Sequence, residues 1–294
     1  MRDRLFILLQ YLLPQHGLSR LIHYATRLRT RWFKNLIIRV FVRGFRVDMS
    51  DAQETDATAY PSFNAFFTRA LKPDARPLPA SSALIVSPVD GTISQSGLTL
   101  DGRVFQAKDR EYSLEDLLGL PELAKALTGG AFSTIYLAPY NYHRIHMPID
   151  GQLRRMIYLP GRLFSVNAAT VRSVPRLFAR NERVVCEFET SAGVMALILV
   201  GALNVGSIET VWAGEVAPGR PRRLTSVDYP RGGVTLARGE EMGRFNMGST
   251  VIAAFAPGRV TLDAGLGPGT TVTMGQAIGQ ANGQLSQPPA SHTG

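Results

Sequence analysis

From Ala83 onward, glycines cut the chain into short β-prone runs, and that punctuation limits what the chain can fold into. The runs are Leu84–Val86, Phe132–Leu137, Arg183–Phe188, Gly193–Val200 and Ser249–Phe255. Runs of this length, rich in β-branched and aromatic residues and bounded by turn formers, read as strands. One helix is expected among them, at Ser113–Leu120 or Pro121–Leu127, because Ser113 followed by Asp116 has the pattern of an N-terminal cap. No repeat of solenoid period is present. A chain of 294 residues, 45% of them hydrophobic, can bury one sizeable core. The expected class is therefore α+β, with a β-rich core over residues 81–294 behind a helical region over residues 1–80. The end, Gln280–Gly294, is polar and rich in Pro, Gly and Ser, and is expected to form a loose tail.

The first 80 residues have a different texture. Residues 1–50 hold ten basic residues (Arg2, Arg4, Arg20, Arg27, Arg29, Arg31, Lys34, Arg39, Arg43, Arg46) against Asp3 and Asp48, so this end carries +8 of the net +9. A basic end on a nearly neutral body binds something anionic, either nucleic acid or a membrane surface. The pattern favours membrane. Leu5–Leu13 is an apolar run broken by Gln10 and stopped by Pro14 and Gly17. It falls well short of the ~20 residues of a spanning helix. A second segment, Leu18–Phe41, has apolar residues at helical spacing, with Arg20, Arg27, Arg31 and Lys34 largely opposite. That is the pattern of an interfacial amphipathic helix. A basic face packed against its own domain is the plainer alternative. A secretory signal is disfavoured because no small-residue cleavage site follows the apolar run. An Arg-rich, nearly acid-free transit segment remains open over residues 1–46. Beyond it, a short helix is expected to start near Ser62, and Pro73, Pro77 and Pro79 mark an extended connector.

Three segments carry candidate chemistry. In Met247-Gly248-Ser249-Thr250-Val251-Ile252 a glycine precedes a serine, which permits backbone torsions other residues resist. Tyr142-His143-Arg144-Ile145-His146-Met147-Pro148 holds two of the five histidines. On a strand the two would point to opposite faces, so different roles are expected for them. No third ligand accompanies them, so no metal site is expected. Ser87-Pro88-Val89-Asp90-Gly91 places an aspartate at a turn after a strand. Taken singly, each is an ordinary loop serine, core histidine or turn aspartate. Together, Asp90, His146 and Ser249 supply an orienter, a base and a nucleophile. Cys186, the lone cysteine, lies within a strand pattern and reads as a small buried hydrophobe. It allows no disulfide within the chain, which suits a reducing compartment.

The same segments resemble the phosphatidylserine decarboxylases. Ser87–Ile93 is similar to that family's aspartate motif and Tyr142–Pro148 to its histidine motif. Pro160–Asn167 and Phe63–Lys72 are similar to two further blocks. Arg238–Ile252 looks like the processing-site block, with Gly-Ser-Thr at residues 248–250 as in bacterial and mitochondrial-type members. Arg238 stands where the family often has lysine. The blocks follow the family's order over roughly residues 60–255.

The resemblance implies self-cleavage before Ser249 into chains 1–248 and 249–294. His146, oriented by Asp90, would act as base, and Ser249 would become a covalent pyruvoyl group, the cofactor. That ketone would take the amine of phosphatidylserine, releasing CO2 and leaving phosphatidylethanolamine, with His143 as candidate general acid. The implied partners are the lipid substrate, an anionic membrane surface, the second cleavage product in a heterodimer and, optionally, a homo-oligomer, with no nucleic acid. The implied location is peripheral, on the cytosolic face of the cytoplasmic membrane. Rival readings are a Ser-His-Asp hydrolase whose chain stays whole, a non-enzymatic membrane-binding protein, and a pyruvoyl enzyme acting on another amino-phospholipid or a soluble amino acid.

Overall fold

The computed structural model describes residues 10–11, 13–107, 110–203, 207–217, 223–247 and 249–283, with the side chains of Ala107 and Ser249 outside that set. Most of the apolar run at Leu5–Leu13, residue Gly248 and the tail from residue 284 therefore fall outside the described residues. Strand accounts for 37% of the chain and helix for 23%, with the helices of the first 80 residues preceding a β-rich body.

The five runs named from sequence are all strands, at Leu84–Val86, Gly130–Leu137, Arg183–Thr190, Gly193–Val200 and Ser249–Pro257. The last four are consecutive or near neighbours in an antiparallel nine-stranded sheet. Its order runs Thr225–Asp228, Gly151–Leu159, Arg183–Thr190, Gly193–Val200, Ser249–Pro257, Gly130–Leu137, Gly91–Leu98, Thr271–Val272, with Thr235–Leu236 also pairing Gly151–Leu159. Ser249–Pro257 is thus interior, paired on one side with Gly193–Val200 and on the other with Gly130–Leu137. Both of its faces are covered. Val251, Ala253 and Phe255 enter one apolar cluster, and Ile252 and Ala254 enter a second. A strand covered on both faces reads as a continuous apolar run, which is how this one looks in the sequence.

A four-stranded sheet, ordered Gly214–Ala217, Ile208–Thr210, Glu241–Phe245, Arg144–His146, lies at the end of the strand Ser249–Pro257. The chain leaves it toward the central strand through Asn246 and Met247. Where one helix was expected in residues 113–127, two form. Ser113 caps Leu114–Leu118 by accepting the Asp116 N–H at 3.0 Å. Gly119, at φ 72°, ends that helix, and Pro121 opens the next at its first position.

The amphipathic segment expected as one helix over Leu18–Phe41 is two helices, Gln15–Arg27 and Arg31–Phe45. Leu28 (ψ 133°) and Thr30 (ψ 112°) are extended between them. The break falls where Arg27, Arg29 and Arg31 crowd like charges into five residues, and where Arg27 reaches away to the Glu215 carboxylate and the Ser207 hydroxyl. The apolar spacing continues through the break, and tertiary contacts decide where it falls. The second helix turns Lys34 and Ile38 inward, with Lys34 donating to the Thr58 carbonyl at 2.7 Å. It leaves Trp32, Leu36 and Val40 exposed. Ser62 caps the short helix Phe63–Phe67, whose Phe63, Phe66 and Phe67 pack on Ile38 and Phe41 in a small core that Met247 also touches.

Candidate functional site

Asp90 sits in the turn between Leu84–Val86 and Gly91–Leu98, as expected, and is buried. Its carboxylate accepts a two-pronged contact from Arg76, Nε to Oδ1 at 3.0 Å and Nη2 to Oδ2 at 2.6 Å. The Met274 N–H donates to the same Oδ1 at 2.8 Å. Three strong donors hold the group in one orientation.

His146 ends the strand Arg144–His146, and its main-chain N–H donates to the Pro88 carbonyl at 2.8 Å, two residues before Asp90. Its ring Nδ1 lies 2.8 Å from the Gly239 carbonyl oxygen and its Nε2 lies 2.9 Å from the Tyr142 hydroxyl. A carbonyl can only accept, so Nδ1 carries the proton and Nε2 accepts from Tyr142. Burial lowers the pKa of this imidazole, partly opposed by the Gly239 contact. The fold thus brings Asp90 and His146 onto adjacent segments with an electrostatic interaction between them, while their direct polar partners are Arg76 for one and Gly239 for the other.

His143 lies just before the same strand in different surroundings. Its Nδ1 lies 2.8 Å from the Asn141 carbonyl oxygen, and its ring packs on Phe67 at 4.1 Å between centroids. Its Nε2 is buried with no hydrogen-bond partner among the described residues. Desolvation lowers its pKa to about 3. Cys186, on the strand Arg183–Thr190, is fully buried, and burial pushes its thiol pKa up, in keeping with a packing role.

Ser249 begins the central strand, with its backbone opposite Leu137. The residues before it are tightly held. The Asn246 main-chain N–H donates to the Ser207 carbonyl at 2.9 Å, its side-chain amide donates to the Ser207 hydroxyl at 2.6 Å, and its Oδ1 accepts from Asn64 at 3.0 Å. Met247 then adopts φ 127°, a conformation that side chains with a Cβ rarely take. The torsions expected at Gly248 lie outside the described residues, and the strained backbone that is described here belongs to Met247. A cavity of about 470 Å³ opens beside it, lined by Phe67, Tyr136, Leu137, Ser165, Asn167 and Met247. An apolar groove of about 610 Å³ runs from Met247 between the two N-terminal helices, past Phe41, Ile37 and Phe33. Among the described residues no group of three His, Cys, Asp or Glu is placed to hold a metal ion.

Sequence reasoning had assigned no part to Arg76, Gly239, Asn246 or Met274. Each acts through a contact distant in sequence or through its backbone, so residue type alone carries no signal for it. Tyr142 stood inside a recognised segment, but its hydroxyl contact with His146 needed the fold.

Comparison with known proteins identifies the family. The family described as phosphatidylserine decarboxylase matches residues 63–280, and a second, described as PSD, matches residues 5–46. A phosphatidylserine decarboxylase proenzyme of Alkalilimnicola ehrlichii is 56% identical over 276 residues, covering 92% of this chain and 96% of the relative. One from Pseudomonas fluorescens is 55% identical over 283 residues, covering 95% and 98%. One from Methylococcus capsulatus is 51% identical over 277 residues, covering 94% and 96%. The chain is similar throughout to proenzymes of decarboxylases. It belongs to the phosphatidylserine decarboxylase family.

Proposed function

We propose that this chain cuts itself between Gly248 and Ser249, converts Ser249 into a pyruvoyl group, and decarboxylates phosphatidylserine to phosphatidylethanolamine and CO2 at an anionic membrane surface. The observation that carries the reading is the strained Met247 at the mouth of a cavity, one residue from a Gly-Ser bond at the head of an interior strand.

In the first stage, neutral His146 takes the Ser249 hydroxyl proton at Nε2. The Gly239 carbonyl holds Nδ1–H and so leaves that lone pair available, once the Tyr142 hydroxyl gives way to serine. The Ser249 oxygen attacks the Gly248 carbonyl carbon, the Gly248–Ser249 C–N bond breaks, and the proton passes to the Ser249 nitrogen, leaving an ester. Loss of the Ser249 α-proton then expels the Gly248 carboxylate together with the former serine oxygen, leaving dehydroalanine. Water adds to its imine form and ammonia departs. Asp90, one segment away, favours the positive charge that His146 gains.

The residues fit a small carbonyl group at position 249, because the adjacent cavity has Tyr136, Ser165 and Asn167 among its lining and its Phe67 packs on the ring of His143, whose Nε2 has no partner among the described residues. The pyruvoyl group would supply an electron sink for the departing carboxylate. His143 would return a proton to the product carbon. Buried and neutral, its Nε2 has no proton to give in this state, and an anionic headgroup nearby would raise its pKa so that the proton arrives with the lipid.

Residues 1–80 form the membrane-association region of this reading and residues 81–294 the catalytic core. Trp32, Leu36 and Val40 face outward with Arg39 and Arg43 exposed on the same helix, as an interfacial anchor requires. No helix among the described residues is long and apolar enough to cross a membrane. We assign the protein to the cytosolic face of the cytoplasmic membrane as a peripheral enzyme. The product chains 1–248 and 249–294 would remain a heterodimer, because the strand that begins the second lies inside the sheet of the first. Intact-mass measurement of the purified protein tests the reading. Two chains with a ketone-blocked Ser249 fragment are expected, and one full-length chain or a free amino-terminal serine would refute it.

A further inference from the structure

The connector at residues 73–82 has helix and strand on either side of it but neither within it, yet it touches Asp90 and the glycine whose carbonyl holds His146. Arg76 grips the Asp90 carboxylate with both prongs of its guanidinium, at 3.0 and 2.6 Å. It is steadied from outside by Asp51 at 2.8 Å and by its own neighbour's carbonyl, Ala75, at 2.8 Å. Two residues later, Leu78 lies against the backbone of Gly239 and Gly275. A Cβ built on Gly239 would come within 2.5 Å of Leu78 Cδ1, and one on Gly275 within 3.1 Å of Cδ2. Gly239 is the residue whose carbonyl holds His146 Nδ1, and Gly275 follows Met274, whose N–H holds Asp90. The Arg238 guanidinium closes the arrangement by donating to the carbonyls of Pro79, Ser81 and Leu84.

From this geometry we infer that Arg76 is a positioning residue for self-cleavage, fixing Asp90 so that its charge stands beside His146. The inference rests on the proposed self-cleaving reading. The bidentate contact matters more than an ordinary surface ion pair would. Both partners are largely shielded, with side-chain exposures of 14% and 9%, and Asp90 depends on Arg76 for two of its three donors. Without that partner the Asp90 carboxylate keeps one donor of three, and nothing in the connector fixes where its charge stands relative to His146. The other charged or titratable groups that interact with Asp90 are Arg69, Tyr142 and His146, while Glu241 from the facing strand and Arg144 from its own strand act on His146. None of these hydrogen-bonds Asp90, so none replaces Arg76.

The test follows self-cleavage of the full chain over time, by gel and intact mass, from pH 5 to pH 9. Arg76→Ala is expected to slow cleavage at least tenfold across this range, because Asp90 loses the fork that fixes it. Arg76→Lys keeps a cation but loses the fork, so it should recover most of that loss, with a rate reduced only several-fold. Thermal melting identifies variants that do not fold, and if Arg76→Ala is one of them, the Arg76→Lys profile decides alone. A wild-type rate and pH profile in the folded variants would overturn the positioning role, as would faster cleavage, which would make Arg76 a restraint instead. If wild-type protein itself does not cut, the functional reading falls and not merely this inference.

Discussion

Replacing Trp32, Leu36 and Val40 together with serine should strip the protein from membranes while leaving its core intact. The three side chains are 71%, 54% and 63% exposed, on the outer face of the helix Arg31–Phe45. Fully burying a large apolar side chain contributes ~1.5–3 kcal/mol. Covering the exposed part of three such groups is then worth roughly 3–5 kcal/mol, or about a hundred- to several-thousand-fold in partition. Because these groups contribute little to the folded core, melting temperature and self-cleavage should change little. Flotation with vesicles of neutral and anionic lipid measures the partition. Replacing Arg39 and Arg43 should instead cost about 1 kcal/mol each on anionic vesicles only, and that loss should fade as salt rises. If the triple variant floats within threefold of wild type, the exposed stripe is not the anchor.

The chemistry can be probed through four substitutions. Ser249→Ala should leave a folded, inactive, full-length chain, whereas Ser249→Cys should cleave slowly through a thioester, as intact mass would show. His146→Ala should abolish cleavage, while His143→Ala should still cleave yet release no CO2 from phosphatidylserine, and loss of cleavage in both would merge their roles. Burial lowers the His146 pKa, so the neutral base persists below the usual histidine range, and cleavage in wild type should hold at pH 6 and fail only at lower pH. His143 titrates near 6.5 when unfolded and at about 3 when folded. The unfolded state binds the extra proton, so the stability that comes from keeping this ring neutral is fully present above the unfolded value. It is lost as pH falls toward the folded one, with a slope of up to ~1.4 kcal/mol per pH unit. Chemical denaturation of His143→Gln across pH 4–7 should show a shallower slope than wild type.

Much of the β-rich body was legible because its signal is local. Val251, Ile252 and Phe255 are apolar in sequence because their strand is covered on both faces, and Ser113 announces its helix by accepting from the Asp116 amide. The break at Leu28–Thr30 was not legible, because apolar spacing continues across it and the deciding contact, Arg27 with Glu215, spans most of the chain. The candidate site divides in the same way. Asp90, His146 and Ser249 stand out as residue types in motif-like surroundings. The carbonyl of Gly239 and the guanidinium of Arg76 are contacts made only by folding. The orienting of His146 by Asp90 that the resemblance implies illustrates the difference, since the contacts described give each another first partner.

The position of the proposed cut also has a mechanical logic. Asn246 is tied to Ser207 and Asn64 on one side, and the ladder from Thr250 onward is tied to Tyr136 and Val200 on the other. Between these anchors Met247 is held at φ 127°, a conformation costing on the order of 1–3 kcal/mol that neither side can relax by moving. Breaking the bond after Gly248 would free Met247 while leaving both anchors in place. The strand that would carry the new pyruvoyl end stays clamped by two neighbours and by apolar contacts on both faces. A cut in an exposed loop would release a mobile end, whereas a cut at the head of an interior strand produces an end already positioned beside a cavity. Rigid placement of the group at position 249 would then follow from the sheet itself, with no further element needed to hold it.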